Sequence, residues 1–145
     1  NLKKDNIGKK IDIRARKFLK KSNLDYAHGT GHGVGFFLNV HEGPQSISKI
    51  NKIKIKEGMI LSNEPGFYKE NKFGIRIENL VYVKRQNKRL FFENLTTAPI
   101  EKDLINFNLL TNFEKNYLFK YHLNVYSKIS KYLNSNEKKW LASLI

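Results

Sequence analysis

Apolar positions near the start of the chain recur at helical spacing. Ile7, Ile11, Ala15, Phe18 and Leu19 line one side of a predicted helix over 7–21, with lysines around the remainder. Asn6 stands where a side chain would cap that helix. The pattern breaks over 22–35. Phe36 to Val40 predicts a short strand ending at His41, and Gly43-Pro44 predicts a turn. Over 51–57 lysines alternate with Ile53 and Ile55, as on an edge strand or a loop border. Two longer strands follow, 58–68 and 73–84. In the second, Ile75, Ile77, Val81 and Val83 fall on one face, and Arg76, Glu78, Leu80 and Tyr82 on the other. A further short strand is predicted over 89–92, and the stretch to Pro99 is irregular.

The last third is predicted to be helical. Phe113, Tyr117, Tyr121, Val125 and Ile129 recur every four residues, with Leu118, Tyr132 and Leu133 beside them. An aromatic stripe of this kind predicts core. His122 lies in this helix without a ligand partner nearby and reads as structural. A final short helix carries Trp140, Leu141 and Leu144. No repeat or low-complexity linker interrupts the chain, which reads as one compact unit with a helical tail.

Composition narrows the class. With 145 residues, 40% hydrophobic and 12% aromatic, the chain can build a moderate core and is not disordered by composition. No apolar run approaches the length of a membrane-spanning helix, and no signal peptide pattern opens the chain, so no membrane partner is expected. Cysteine is absent, which fits a reducing compartment. The net charge of +14 points formally to nucleic acid. However, only five of the 27 basic residues are arginine, the better reader of phosphate and bases. The lysines are scattered through a Lys- and Asn-rich chain, so the charge reads as compositional bias and no nucleic-acid partner is expected. The chain opens at Asn1 rather than at a methionine and is expected to be a piece of something longer.

Candidate chemistry concentrates in one window. Three of the four histidines and five of the nine glycines fall between His28 and Pro44. Glycine permits tight turns and close approach, and histidine ligates metals and exchanges protons near neutral pH. A glycine-rich loop with incidental histidines stands as the equal alternative on this window alone.

A second signal lies in the predicted strand pair. A hairpin centred near Asn71 sets Glu64 directly opposite Glu78. Like charges facing across a ladder destabilise it, and two close carboxylates cannot both ionise cheaply. A shared proton, a cation or a metal ion can rescue such a pair. Arg76, on the same face two residues before Glu78, can supply the cation. A metal with a histidine as third ligand is the other reading, and hard oxygens with one imidazole suit Mn²⁺, Fe²⁺, Co²⁺ or Zn²⁺. Pro65 holds Glu64 extended at a strand end. On pattern alone the two readings are even.

The motifs combine in a resemblance. Asp25-Tyr26-Ala27-His28-Gly29-Thr30-Gly31-His32-Gly33-Val34-Gly35 closely resembles the aminopeptidase P (Xaa-Pro aminopeptidase) family. The likeness continues through Leu38-Asn39-Val40-His41-Glu42-Gly43-Pro44 and Glu57-Gly58-Met59. It resumes in Asn63-Glu64-Pro65-Gly66-Phe67-Tyr68 and Phe73-Gly74-Ile75-Arg76-Ile77-Glu78-Asn79. Glu93 to Ile100 is similar to the longer soluble eukaryotic form. The resemblance implies an α+β pita-bread fold, with curved antiparallel sheet around a dinuclear metal site and helices at the C-terminus. It implies that 1–145 is the C-terminal portion of the catalytic domain, with 101–145 a helical extension within it.

By the same resemblance His32, Glu64 and Glu78 are metal ligands, with Glu78 bridging two ions and Glu64 also the general base. His28 and His41 are the catalytic, substrate-facing histidines, and Arg76 braces the carboxylates. The implied cofactor is two divalent metal ions, Mn²⁺ first, with Zn²⁺ or Co²⁺ as alternatives. The implied substrates are peptides with N-terminal Xaa-Pro, in a cytoplasmic homodimer. The family also needs two aspartate ligands and a histidine upstream. Only Asp5, Asp12 and Asp25 precede the histidines here, and Asp12 lies in the predicted helix. This chain alone is therefore expected not to complete the two-metal site. A prolidase-like peptidase and a non-catalytic pita-bread module that binds nucleic acid or protein are the rival readings.

Overall fold

Helix α1 (Gly8–Lys20) forms where the periodicity places it, but it buries a different face. The structure, a computed structural model, describes residues 2, 6–37 and 39–145, so Asp5 and Leu38 lie outside the described residues. The buried side of α1 is Gly8, Ile11, Asp12 and Arg16. Phe18, expected in the core, is 73% exposed. Asp12 and Arg16 are one turn apart and bond each other at 2.8 Å, so a polar pair can occupy positions that the apolar count assigned to Phe18 and Leu19. Asn6 does not cap the helix. Ile7 is the N-cap, and the Asn6 amide instead donates to the Ile55 carbonyl at 3.0 Å.

Phe36, Phe37, Asn39 and Val40, the described residues of the 36–40 segment, form no strand. Phe37 has φ 56, in the left-handed region, and the Gly35 N–H closes the loop onto the Asn39 carbonyl at 2.8 Å. Extended pairing cannot pass through such a residue.

Strands β1 (Gly31–His32) and β2 (Ser46–Ile47) pair antiparallel, with Gly31 opposite Ile47. The two long predicted strands each break once. The first becomes β3 (Ile60–Asn63) and β4 (Gly66–Lys69), the second β5 (Phe73–Arg76) and β6 (Asn79–Gln86). Gly66 pairs with Arg76 and Lys69 with Phe73, while Ile60 pairs with Tyr82 and Asn63 with Asn79. Both ladders therefore keep the single register of a hairpin centred at Asn71. One break falls at Glu64-Pro65, where proline has no N–H to give the ladder. The other falls at Ile77-Glu78, directly across.

Strand β7 (Arg89–Asn94) joins β6 through Asn87 and Lys88, both at positive φ as a two-residue hairpin turn requires. The three-stranded sheet has the order β3-β6-β7. Ile11, Ile47, Ile55, Leu61, Val81 and Val83 form its core. Ile75 and Ile77, expected on one face with Val81 and Val83, are about half exposed. Strand β5 belongs to a separate two-stranded sheet with β4, and all four of its residues are exposed.

The contacts divide the chain into two units, Asn1–Thr96 and Thr97–Ile145. In the second, α2 (Asn112–Ile129) and α3 (Ser135–Ser143) each begin with a reciprocal capping box, Thr111 with Glu114 and Asn134 with Glu137. Tyr121, Val125, Leu141 and Leu144 make its core. Phe113, Tyr117 and Tyr132 are exposed, contrary to the aromatic-stripe expectation. A strict four-residue repeat overshoots the 3.6-residue turn and drifts by about 40° per step. Tyr121 and Val125 are then buried, Ile129 packs partly against them, and Phe113 and Tyr117 face outward. His122 is structural as expected: it is buried, and its Nε2 lies 3.0 Å from the Ile100 N–H. Burial pushes its pKa down, which favours the neutral ring that accepts this bond. Among the described residues, no helix is long and apolar enough to cross a membrane.

Candidate metal centre

Strand β1 delivers His32 to the break in the hairpin. A Cβ on Gly31 would collide with the Ser62 carbonyl, so only glycine lets β1 lie this close to β3. The Ser62 hydroxyl accepts from the His32 N–H at 2.9 Å and donates to Glu64 Oε1 at 2.9 Å. Glu64 in turn donates its own N–H to the Thr30 carbonyl at 2.8 Å. His32 and Glu64 are thus fixed to each other through the backbone before any side-chain contact is counted.

The His32 ring donates Nδ1–H to the Gly33 carbonyl at 2.9 Å, which leaves the Nε2 lone pair free. That nitrogen sits 3.5 Å from Glu64 Oε1. Glu78 completes the cluster. One donor atom from each of His32, Glu64 and Glu78 lies within 4.8 Å of the other two. Arg76 Nη1 reaches Glu64 Oε2 at 3.1 Å, so the cationic brace expected from the sequence is present, on one carboxylate. Glu78 has no hydrogen-bond partner among the described residues. A part-buried imidazole nitrogen, a buried carboxylate and an exposed one drawn this close together fit a divalent cation. The donor types are those that hold Mn²⁺, Fe²⁺, Co²⁺ or Zn²⁺.

The other two histidines border this cluster. The His41 ring stacks on His32 with centroids 3.9 Å apart. His28 donates Nδ1–H to the Gly29 carbonyl at 2.7 Å, and its Nε2 accepts from the Tyr68 hydroxyl at 2.8 Å. The same hydroxyl accepts from Arg76 Nε at 2.8 Å. This bond, ahead of the nearby carboxylates, raises the Arg76 pKa. An unbroken line therefore runs from His28 through Tyr68 and Arg76 to Glu64. Tyr68 carries no role in the sequence reading. Its signal was the register: Gly66 pairs with Arg76, which makes Tyr68 a diagonal neighbour of Arg76 on the same face.

Neither Asp12 nor Asp25 extends the cluster. Asp12 is buried and bonded to Arg16 and Thr30, and Asp25 pairs with Arg16, Lys20 and Lys49. Among the described residues, His32, Glu64 and Glu78 form the one group able to hold a metal.

One imidazole and two carboxylates, the carboxylates at matched breaks of an antiparallel hairpin, make a donor set that could hold a divalent ion. Residues 1–85 match the model of metallopeptidase family M24, and residues 88–144 match that of the C-terminal region of peptidase M24. The chain belongs to metallopeptidase family M24, and its fold is the α+β pita-bread arrangement.

Among its relatives is a probable Xaa-Pro aminopeptidase P of Laccaria bicolor, 45% identical over 144 residues that cover 90% of this chain and 22% of the relative. The crystal structure of an X-prolyl aminopeptidase from Caenorhabditis elegans, described as a cytosolic enzyme with a di-nuclear active site, superposes with a TM-score of 0.85. It is 39% identical over 94% of this chain and 24% of its own. An X-Pro aminopeptidase from Thermotoga maritima superposes with a TM-score of 0.56 at 42% identity, over 66% of this chain and 26% of its own. The chain spans about a quarter of the length of the relatives it matches.

Proposed function

We propose that the full-length protein carrying this chain is a metal-dependent aminopeptidase that releases the N-terminal residue from peptides with proline second. The observation that carries this reading is the convergence of His32, Glu64 and Glu78 at one break in the hairpin, with His28 and His41 on its border. The likeness to Xaa-Pro aminopeptidases supports the substrate class.

In this reading His32, Glu64 and Glu78 would hold divalent metal. Two aspartates and a histidine come from the remainder of the protein. Mn²⁺ is the proposed metal, and the proposed setting is a cytosolic homodimer. The bound ions would supply a water of lowered pKa and positive charge for the carbonyl oxygen. Glu64 would take a proton from the attacking water and pass it to the proline nitrogen, which must be protonated to leave. The bond cut is a tertiary amide with no N–H, so recognition falls on the carbonyl. His28 and His41 orient that carbonyl and stabilise its developing charge. Arg76 keeps Glu64 aimed through its bond to Oε2.

Chelation tests the metal dependence. Full-length protein stripped of metal should lose hydrolysis of an Xaa-Pro tripeptide and recover it when Mn²⁺ is restored. Activity that survives exhaustive chelation would remove the metal reading.

A further inference from the structure

We propose that Asp12 and Arg16, one turn apart on α1, are positioning residues for His28, an inference that rests on the role given to His28 above. Both are buried, at 0% and 3% exposure, and both look toward the segment 25–30. That segment has no regular structure of its own, yet it must present His28 at one end and lead into His32 at the other.

Arg16 uses every nitrogen of its guanidinium. Nε donates to Asp12 Oδ2 at 2.8 Å, and Nη1 donates to Asp25 Oδ1 at 2.6 Å and to the Tyr26 carbonyl at 2.8 Å. Nη2 donates to the His28 carbonyl at 2.6 Å. Its plane lies over the Tyr26 ring, 3.8 Å from the centroid. The second Asp12 oxygen accepts from the Thr30 hydroxyl at 2.6 Å, and Thr30 accepts from the Tyr26 hydroxyl. Side chains or carbonyls of residues 25, 26, 28 and 30 are therefore tied to a single helical turn. The Thr30 carbonyl then receives the Glu64 N–H, so the same segment is docked against the backbone that carries Glu64.

A buried ion pair is weak evidence for stability, because desolvation cancels much of its attraction. The bonds made here do something more specific: they fix carbonyls on both sides of Ala27. Burial alone would lower the Arg16 pKa, but the bonds to Asp12 and Asp25 raise it overall and keep the fork charged. A planar guanidinium can reach acceptors in several directions, and a lysine ammonium at the same place cannot reproduce the fork. The His28 Nε2 contact with Tyr68 is 2.8 Å, so a shift of the loop by about 1 Å would break it. A displacement of that size can cost about a hundred-fold in rate.

The test is Arg16→Lys in the full-length protein, alone and combined with His28→Ala. Arg16→Lys alone should lower kcat on an Xaa-Pro tripeptide by at least ~10-fold, with KM changed less than ~2-fold and bound metal unchanged. In the His28→Ala background the same substitution should cost less than ~2-fold, because its effect passes through His28. An equal loss in both backgrounds, or a loss matched by loss of metal, would overturn the inference. Thr30→Val, which removes one bond of the clamp and keeps the side chain's size, should act in the same direction at a few-fold. Amide hydrogen exchange gives a readout independent of activity. Exchange over 26–31 should rise in Arg16→Lys while β3 and β6 stay protected. Unchanged exchange there overturns the clamp even if the protein cleaves Xaa-Pro peptides. If the parent protein cleaves none, the function reading fails and the exchange result still decides the clamp.

Discussion

Glu64→Gln in the full-length protein should lower kcat on an Xaa-Pro tripeptide by about a thousand-fold or more. The substitution keeps size and shape, so Ser62 can still donate to the remaining carbonyl oxygen. It removes the negative charge that faces Arg76 at 3.1 Å and His32 at 3.5 Å. With the carbonyl oxygen kept toward Ser62, the amide N–H₂ faces the Arg76 donor, and a neutral amide cannot take the proton of a water. Both losses fall on the step that makes the nucleophile. KM should move much less, since the proton is taken only in the chemical step. Initial rates at saturating substrate and Mn²⁺ make the comparison, and near-normal kcat would remove Glu64 as the base.

Glu78→Gln carries a second large effect, in two opposite directions. In metal-free protein this carboxylate has no hydrogen-bond partner among the described residues and sits close to the charge of Glu64. Neutralising it should leave Tm in chelator unchanged or slightly raised, by the ~0.5 kcal/mol expected for relieving like charges across a sheet. Metal binding should weaken by at least about a hundred-fold, beyond what loss of a supporting residue around a site costs. Thermal melts in chelator and a calorimetric Mn²⁺ titration of the full-length protein measure the two effects. A lower Tm with unchanged metal affinity would instead make Glu64, Glu78 and Arg76 a purely structural network.

The carboxylate pair was readable from sequence because strand pairing is rigid arithmetic. Once the hairpin is centred at Asn71, Glu64 must oppose Glu78, and both ladders keep that register. The breaks at Glu64-Pro65 and Ile77-Glu78 were only half readable: proline marks one, and nothing local marks the other. Tyr68 was missed because a tyrosine on a strand carries no chemical label until its cross-strand neighbour is known.

Other differences have different causes. Counting apolar residues put Phe18 in the core. The buried face instead contains Asp12 and Arg16, whose mutual bond and whose acceptors in the 25–30 segment lie outside any periodicity. Phe36 to Val40 has a strand's composition, but Phe37 takes a left-handed backbone, which composition does not reveal. The drift of a four-residue repeat explains why Phe113 and Tyr117 face outward while Tyr121 and Val125 do not.

Competition between two substrates tests the central claim most directly. Mn²⁺-loaded full-length protein would be given an Xaa-Pro-Xaa tripeptide and the matching Xaa-Pro dipeptide together, with products followed by mass. Release of the N-terminal residue from the tripeptide, with the dipeptide cut far more slowly, is the predicted result. Cleavage confined to the dipeptide, or no cleavage of either by metal-loaded protein, would contradict it.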